Sequence, residues 1–302
     1  MKNFLERVLL TSMIAVSCVT FVACGNGADE AKYGRLQDDT FFNTLRVDRM
    51  LGDPFLMEHD GYYYFTFSEG QQITVTKSSH MTQLTPGDEN AKVIFRQADI
   101  GAQEIWAPEF FWLDGHFYCY FTSSRGANSA ELDLNRRIWV MKSKTDDALG
   151  EWEKPQKIEL PCDYWAIDAT FFNWQGRQWI LWSGWPYAEN NNWEQRIYIT
   201  ELETGNPTKV KSLDPAARIQ ISKPIYKDWE SVGAWMNEGP AVVVSPGGRP
   251  YCFYSTSSSQ SNFYCMAYCT LLGETTEEML ANITNPETDA YGNSVGWRKE
   301  DK

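Results

Sequence analysis

Basic residues are scarce in this 302-residue chain: 27 lysines and arginines face 40 aspartates and glutamates, for a formal net charge of −13. A nucleic-acid binder needs a basic footprint to meet phosphate, so that class is disfavoured. Anionic membrane surfaces are poor partners for the same reason, whereas neutral sugars suit this balance. Histidine is rarer still, with three in all. His59 and His116 stand beside turn glycines and His80 lies in a polar connection, and none has metal-ligand spacing. The chain has no G-x-S-x-G elbow, phosphate loop or dinucleotide fingerprint. Cysteine is sparse: beyond Cys24 there are Cys119, Cys162, Cys252, Cys265 and Cys269, an odd number without a C-x-x-C pair. That argues against a zinc site and against a dense disulfide framework. Cys119, Cys252 and Cys265 sit inside aromatic strand patterns and read as small buried hydrophobes. Cys252 and Cys265, on neighbouring strands, are the one pair open to bridging.

Long apolar runs are missing too, except at the start. Lys2 and Arg7 precede an apolar stretch over residues 8–23, too short and too close to the terminus for a spanning helix. It ends Phe21-Val22-Ala23-Cys24, and polar Gly25-Asn26-Gly27-Ala28 follows. This is similar to a bacterial lipoprotein signal. It implies a removable signal at 1–23, lipidation of Cys24 and a flexible tether over 24–32. The expected location is the bacterial envelope, on the outer membrane or cell surface.

What the chain has in quantity is aromatic side chains: 13 Trp, 15 Tyr and 16 Phe. They fall in short runs with β-branched residues, divided by Gly, Asp, Asn and Pro, which is a strand signal. Tyr62-Tyr63-Tyr64-Phe65-Thr66-Phe67-Ser68 is echoed by Phe117-Tyr118-Cys119-Tyr120-Phe121-Thr122-Ser123. Further echoes are Trp179-Ile180-Leu181-Trp182-Ser183 and Tyr251-Cys252-Phe253-Tyr254-Ser255-Thr256. Each follows a turn: Asp60-Gly61, Asp114-Gly115, Gln175-Gly176, Gly247-Gly248.

Ahead of each run stands a carboxylate: Asp53, Glu109, Asp168 and Glu238, spaced 56, 59 and 70 residues apart. Units of this length built from short strands have the size of a four-stranded propeller blade. Innermost blade strands surround one axis, so residues at the same place in each repeat converge at one end. A β-sandwich would not explain an acid at the front of every repeat. The expectation is an all-β propeller over residues 33–302. Asp53, Asp168 and Glu238 enter apolar strands, and a buried acid is costly unless it is paired or functional.

The order Gly52-Asp53-Pro54-Phe55, Trp106-Ala107-Pro108-Glu109, Ile167-Asp168-Ala169-Thr170-Phe171-Phe172, Asn237-Glu238-Gly239-Pro240 resembles the glycoside hydrolase family 43 pattern. The resemblance spans about residues 45–300. It implies a five-bladed β-propeller, of which about four blades are visible here, with a pocket at one end of the axis. It further implies inverting, exo-acting removal of α-L-arabinofuranosyl or β-D-xylosyl units from plant polysaccharides. Asp53 then matches the general base, Asp168 the pKa modulator and Glu238 the general acid. Such chemistry needs one carboxylate to activate water and one carboxylic acid to protonate the leaving oxygen, roughly 6.5–9.5 Å apart. Glu109 is expected to bind or brace substrate. Trp106, Trp185 and Trp235 are the candidate sugar-packing aromatics, since an indole presents a flat apolar face. No cofactor is required, and a structural Ca²⁺ on the axis is compatible with the resemblance.

One departure is plain. A Gly-Pro-Gly-His segment and a fifth repeat, which the resemblance would add, do not follow Gly296-Trp297-Arg298-Lys299. Residues 33–50 could supply strands toward ring closure, since open sheet edges are avoided. Two other readings share the scaffold. One is a lipid-anchored carbohydrate-binding protein with a degenerate or incomplete site. The other is a fructan-type hydrolase, whose Asn-Asp-Pro opening differs from Gly52-Asp53-Pro54.

Overall fold

The computed structural model describes residues 52–300 apart from 85–88, 102, 190–193 and 226–228. The signal, Cys24, the tether and the stretch 33–50 lie outside the described residues. Among the described residues, no helix is long and apolar enough to cross a membrane.

Among the described residues, four antiparallel sheets follow one another along the chain. The first holds β1 (Gly52–His59), β2 (Tyr62–Ser68), β3 (Gln72–Ser78) and β4 (Ala91–Arg96). The second holds β5 (Gln103–Leu113), β6 (His116–Ser124), β7 (Arg137–Lys142) and β8 (Gln156–Lys157). In the third, β9 (Ala166–Trp174), β10 (Arg177–Gly184), β11 (Arg196–Glu203) and β12 (Asn206–Val210) are joined by β13 (Ile219–Ser222), which also pairs with β11. The fourth holds β14 (Asn237–Val244), β15 (Pro250–Thr256), β16 (Cys265–Leu271) and β17 (Trp297–Lys299). Short helices α1 (Ser129–Leu134) and α2 (Thr276–Ile283) lie in connections. Each sheet is a blade. The innermost strands β1, β5, β9 and β14 stand side by side in that order, giving a four-blade β-propeller.

The first two strands of blades 1 to 3 are joined by two-residue turns with both central residues at positive φ. These are Asp60 and Gly61 (50°, 74°), Asp114 and Gly115 (50°, 84°), and Gln175 and Gly176 (52°, 75°). Such turns match the right-handed twist of the strands they join, which is why Asp-Gly recurs here. They fix the register of each hairpin and so decide which side chains reach the seams.

Apolar clusters fill the seams between successive blades. Tyr64, Val75, Phe117, Phe121 and Met141 pack between blades 1 and 2. Phe111, Tyr120, Ile180, Trp182 and Tyr198 pack between blades 2 and 3. Trp179, Ile197, Cys252, Tyr254 and Cys269 pack between blades 3 and 4. Each large side chain so buried contributes about 1.5–3 kcal/mol. Among the described residues, blade 4 buries only the face that meets blade 3. On its other face Val243 and Met266 are exposed, Tyr268 is partly exposed, and Tyr251 and Phe253 are half-buried.

The cysteine expectation is corrected by the register of blade 4. Cys252 stands opposite Cys269, while Cys265 stands opposite Thr256. Cys252 and Cys265 are therefore too far apart along the hairpin to bridge, and all five described cysteines are free thiols.

Candidate active site

The innermost strands do not run as unbroken ladders. The register slips between Gly52 and Phe55 in β1, on both sides of Trp106 in β5, between Leu181 and Ser183 on the partner of β9, and between Glu238 and Ala241 in β14. At each slip one residue takes left-handed backbone: Asp53 (49°), Glu104 (56°), Ala107 (42°), Asp168 (54°) and Gly239 (60°). Such bulges re-aim side chains. Non-glycine residues held this way cost about 1–3 kcal/mol and cluster at functional sites.

Hydroxyls at the ends of the second strands tie the bulges of blades 2 and 3, and the start of β14, to the preceding blade. Ser68 Oγ donates to Asp53 Oδ2 (2.6 Å) and accepts from the Ala107 amide (2.7 Å). Thr122 Oγ1 accepts from the Asp168 amide (3.2 Å), and Ser183 Oγ donates to the Asn237 carbonyl (2.9 Å). The acids are thus placed by seams as much as by their own strands. The signal was present in sequence, as a Ser or Thr ending each aromatic run.

Asp53, Asp168 and Glu238 come together. Asp168 Oδ2 accepts from the Gly239 amide (3.1 Å), which links blades 3 and 4 beside Glu238. Burial, and then the charges of Glu238, Asp53 and Glu109, hold the Asp168 carboxyl well above the usual range. Burial also raises Glu238, and Asp53 adds to this. The Tyr264 hydroxyl, which donates to Glu238 Oε1 at 3.0 Å, opposes it. Asp53 itself is exposed.

Glu109 belongs to the same cluster but not to the same position. It stands opposite Tyr120 as Phe55 stands opposite Thr66 and Thr170 opposite Leu181. Its equivalent in blade 1 is therefore Phe55, and the residue equivalent to Asp53 in blade 2 is Ala107. This corrects the expectation of one acid at the same place in every repeat. Half-buried Glu109 is pushed up to about 8, chiefly by burial; a hydrogen bond with Thr170 opposes this and the Asp53 charge adds to it.

Asn237 is a buried anchor next to Glu238. Its amide donates to Gln195 O (3.0 Å). Its Oδ1 accepts from Ser222 Oγ (2.6 Å), and its Nδ2 reaches Thr256 Oγ1 (3.0 Å) and Glu230 Oε1 (3.2 Å). Glu230, fully buried, pairs with Lys299 from the outermost strand. Neither Tyr264 nor this network was singled out from sequence. Tyr264 lies in a loop, and Glu230 and Lys299 carry no local pattern.

The aromatic candidates divide. Trp185 is 2 % exposed and stacks on Trp165 at 5.1 Å, so it is corrected from a sugar-packing residue to a core residue. Trp106 is half-buried, with the Arg136 guanidinium 3.3 Å from its ring centroid. The protein's own cation thus takes one of the faces expected to meet a sugar. Trp235 is half-buried and lines an open depression of about 390 Å³ with Ser231, Gly233 and Ala234. Among the described residues, no group of three or more His, Cys, Asp or Glu side chains could hold a metal ion.

The innermost strands of the propeller thus gather four acids, three of them raised above their ordinary values. The profile of Glycosyl hydrolases family 43 matches residues 47–296, and the chain belongs to that family. It is 32% identical over 231 residues to an extracellular exo-alpha-(1->5)-L-arabinofuranosidase of Streptomyces avermitilis, covering 75% of this chain and 44% of that protein. The protein of the same description from Streptomyces chartreusis is 32% identical over 229 residues, covering 74% of this chain and 64% of that protein. This chain therefore spans less than two thirds of the length of either relative. Among solved structures, an alpha-L-arabinofuranosidase from Lactobacillus brevis matches at a TM-score of 0.66 and 28% identity, covering 83% of this chain and 73% of that one.

Proposed function

We propose that this protein hydrolyses terminal α-L-arabinofuranosyl linkages, with inversion at the anomeric carbon. Water attacks that carbon as Asp53 takes its proton, while Glu238 gives a proton to the departing glycosidic oxygen. The observation that carries the reading is the contrast between the two acids. Asp53 is exposed and held by Ser68, whereas Glu238 is raised by burial and by Asp53 itself. An acid and a base in one site need such diverging environments. Asp168 stands beside Glu238 and accepts from the Gly239 amide, so its role is to position Glu238. Glu109 and Trp235 are assigned to substrate contact. The names of the relatives favour arabinofuranosyl over xylosyl substrates.

The test follows the anomeric configuration of sugar released from arabinan and xylan oligosaccharides by NMR from the first minutes. Arabinose appearing first with inverted configuration supports the proposal, and retention or xylose alone sinks it. Asp53→Asn and Glu238→Gln should each lower turnover by roughly 10²–10⁴-fold with the fold intact. Binding without turnover in the unaltered protein would identify a carbohydrate-binding protein instead. The N-terminal pattern supports attachment to the bacterial envelope through Cys24. Cys24→Ser should abolish lipid labelling, and persistent labelling would reject the anchor.

A further inference from the structure

Glu238 stands between a clamped residue and a bulge. Asn237 and Glu238 still pair with Thr256 and Ser255, and the ladder slips directly after them. Gly239 takes left-handed backbone there, and Asp168 holds its amide. A bulge interrupts the ladder that would otherwise fix a side chain's direction. The aim of Glu238 therefore depends on how firmly the residue before it is held.

The hold on Asn237 is unusually full. Its N–H donates to Gln195 O (3.0 Å), and its carbonyl accepts from Ser183 Oγ (2.9 Å). Ser183 lies in β10 and Gln195 directly precedes β11, so both grips come from blade 3. The side chain meets donors at one end and acceptors at the other. Oδ1 faces Ser222 Oγ (2.6 Å) and Lys299 Nζ (3.5 Å). Nδ2 faces Met236 O (3.0 Å), Thr256 Oγ1 (3.0 Å) and Glu230 Oε1 (3.2 Å). An amide turned over would set its oxygen against Met236 O and the Glu230 carboxylate, so one orientation alone is satisfied.

Glu230 enforces that orientation. It is fully buried; its Oε2 accepts from the Ile225 amide (3.0 Å) and its Oε1 meets Lys299 Nζ. Lys299 belongs to β17, the outermost strand of blade 4, and its Nζ also donates to Lys223 O (2.6 Å). Burying two charges is expensive, and apolar residues of like volume would fill the same space at least as well. What the charges add is a fixed acceptor for Asn237 Nδ2. From this geometry we infer that Asn237, braced by the Glu230–Lys299 pair, is a positioning residue for Glu238. Being fully buried, it touches no substrate; it holds the backbone from which the acid projects. Proton delivery at the innermost strand then depends on an ion pair anchored at the outermost one. This role rests on the proposed assignment of Glu238 as the acid.

The test compares two leaving groups. In α-(1→5)-arabinotriose the departing alkoxide needs a proton, whereas 4-nitrophenyl α-L-arabinofuranoside releases a phenolate that is stable without one. A misplaced acid therefore slows the first substrate more than the second, and a general loosening of the fold slows both alike. Both are measured on the unaltered protein, Glu238→Gln and Asn237→Ala, at a temperature where circular dichroism shows each folded. In Asn237→Ala, kcat on arabinotriose should fall about tenfold further than kcat on the nitrophenyl substrate, with KM little changed. Glu230→Gln with Lys299→Met in one chain should show the same selectivity at about threefold, and it decides the question should Asn237→Ala not fold. Equal losses on the two substrates, or no loss on either, overturn the positioning role. If Glu238→Gln is selective and Asn237→Ala is not, the acid assignment stands and only the inference falls. If Glu238→Gln loses both substrates equally, or the unaltered protein turns over neither, the proposed function fails and the positioning role fails with it.

Discussion

Ser68 Oγ donates to the Asp53 carboxylate at 2.6 Å while accepting from the Ala107 amide at 2.7 Å. One hydroxyl therefore fixes an acid of blade 1 and the bulge of blade 2. With its acceptor side taken by an N–H, its proton is directed at Asp53. Ser68→Ala should lower kcat by about tenfold, the value of one charge-assisted hydrogen bond. The fold should remain intact by circular dichroism. Unchanged kcat would show that the strand alone places Asp53.

Tyr264 gives a test through pH. Its hydroxyl stabilises the charged form of Glu238 and so opposes the rise caused by burial. Removing it in Tyr264→Phe lets Glu238 rise further. The basic limb of the kcat/KM profile, which reports loss of the Glu238 proton, should move up by about one pH unit. A shift downward, or none, would remove Glu238 as the acid that sets this limb.

Glu109 links the cluster to stability. In the folded chain it keeps its proton until about pH 8, whereas its ordinary value is 4.5. The native state thus binds more protons than the unfolded state between those values, and its contribution falls as pH rises through that window. Glu109→Gln cannot ionise. Its Tm should therefore gain on the unaltered protein progressively from pH 5 to pH 8, by roughly 2–4 °C per kcal/mol relieved. Parallel Tm curves would contradict the assignment.

The Lys299–Glu230 pair supports Asn237 from below. Lys299→Met leaves Glu230 buried and uncompensated, which costs about 3–5 kcal/mol. Thermal unfolding should fall by on the order of 10 °C. Replacing Glu230 by Leu in the same chain should recover part of the loss, because no buried charge then remains. A double variant less stable than Lys299→Met would rule out the charge argument.

Much of this architecture could be read from the chain. Asp60-Gly61 and Asp114-Gly115 announced hairpins, and the repeated aromatic runs announced blades. Asp53 and Asp168 were legible because they share a phase, and Glu238 because it stands one residue ahead of that position, which Gly239 takes in blade 4. Glu109 was misplaced because it lies two residues beyond the bulge residue Ala107, whereas Asp53 and Asp168 are the bulge residues themselves, and nothing in composition marks where a bulge falls. Trp185 was misjudged because a tryptophan beside Pro186 looks like a loop residue, whereas its stacking on Trp165 depends on the seam. Cys252 was matched to the wrong thiol because the register of β15 and β16 is set by the loop between them. Arg136 and Glu230 carry no periodic signal; each has a partner from a distant segment, Glu104 and Lys299.

The hydroxyls of Ser68, Thr122 and Ser183 each reach forward into the following blade. Inheritance of catalytic geometry in this propeller is therefore out of step with inheritance of sequence repeats. Blade 3 transplanted with Asp168 would arrive without the Thr122 hydroxyl that holds it. The unit that can be exchanged while keeping that carboxylate in place runs from the second strand of blade 2 through the first strand of blade 3.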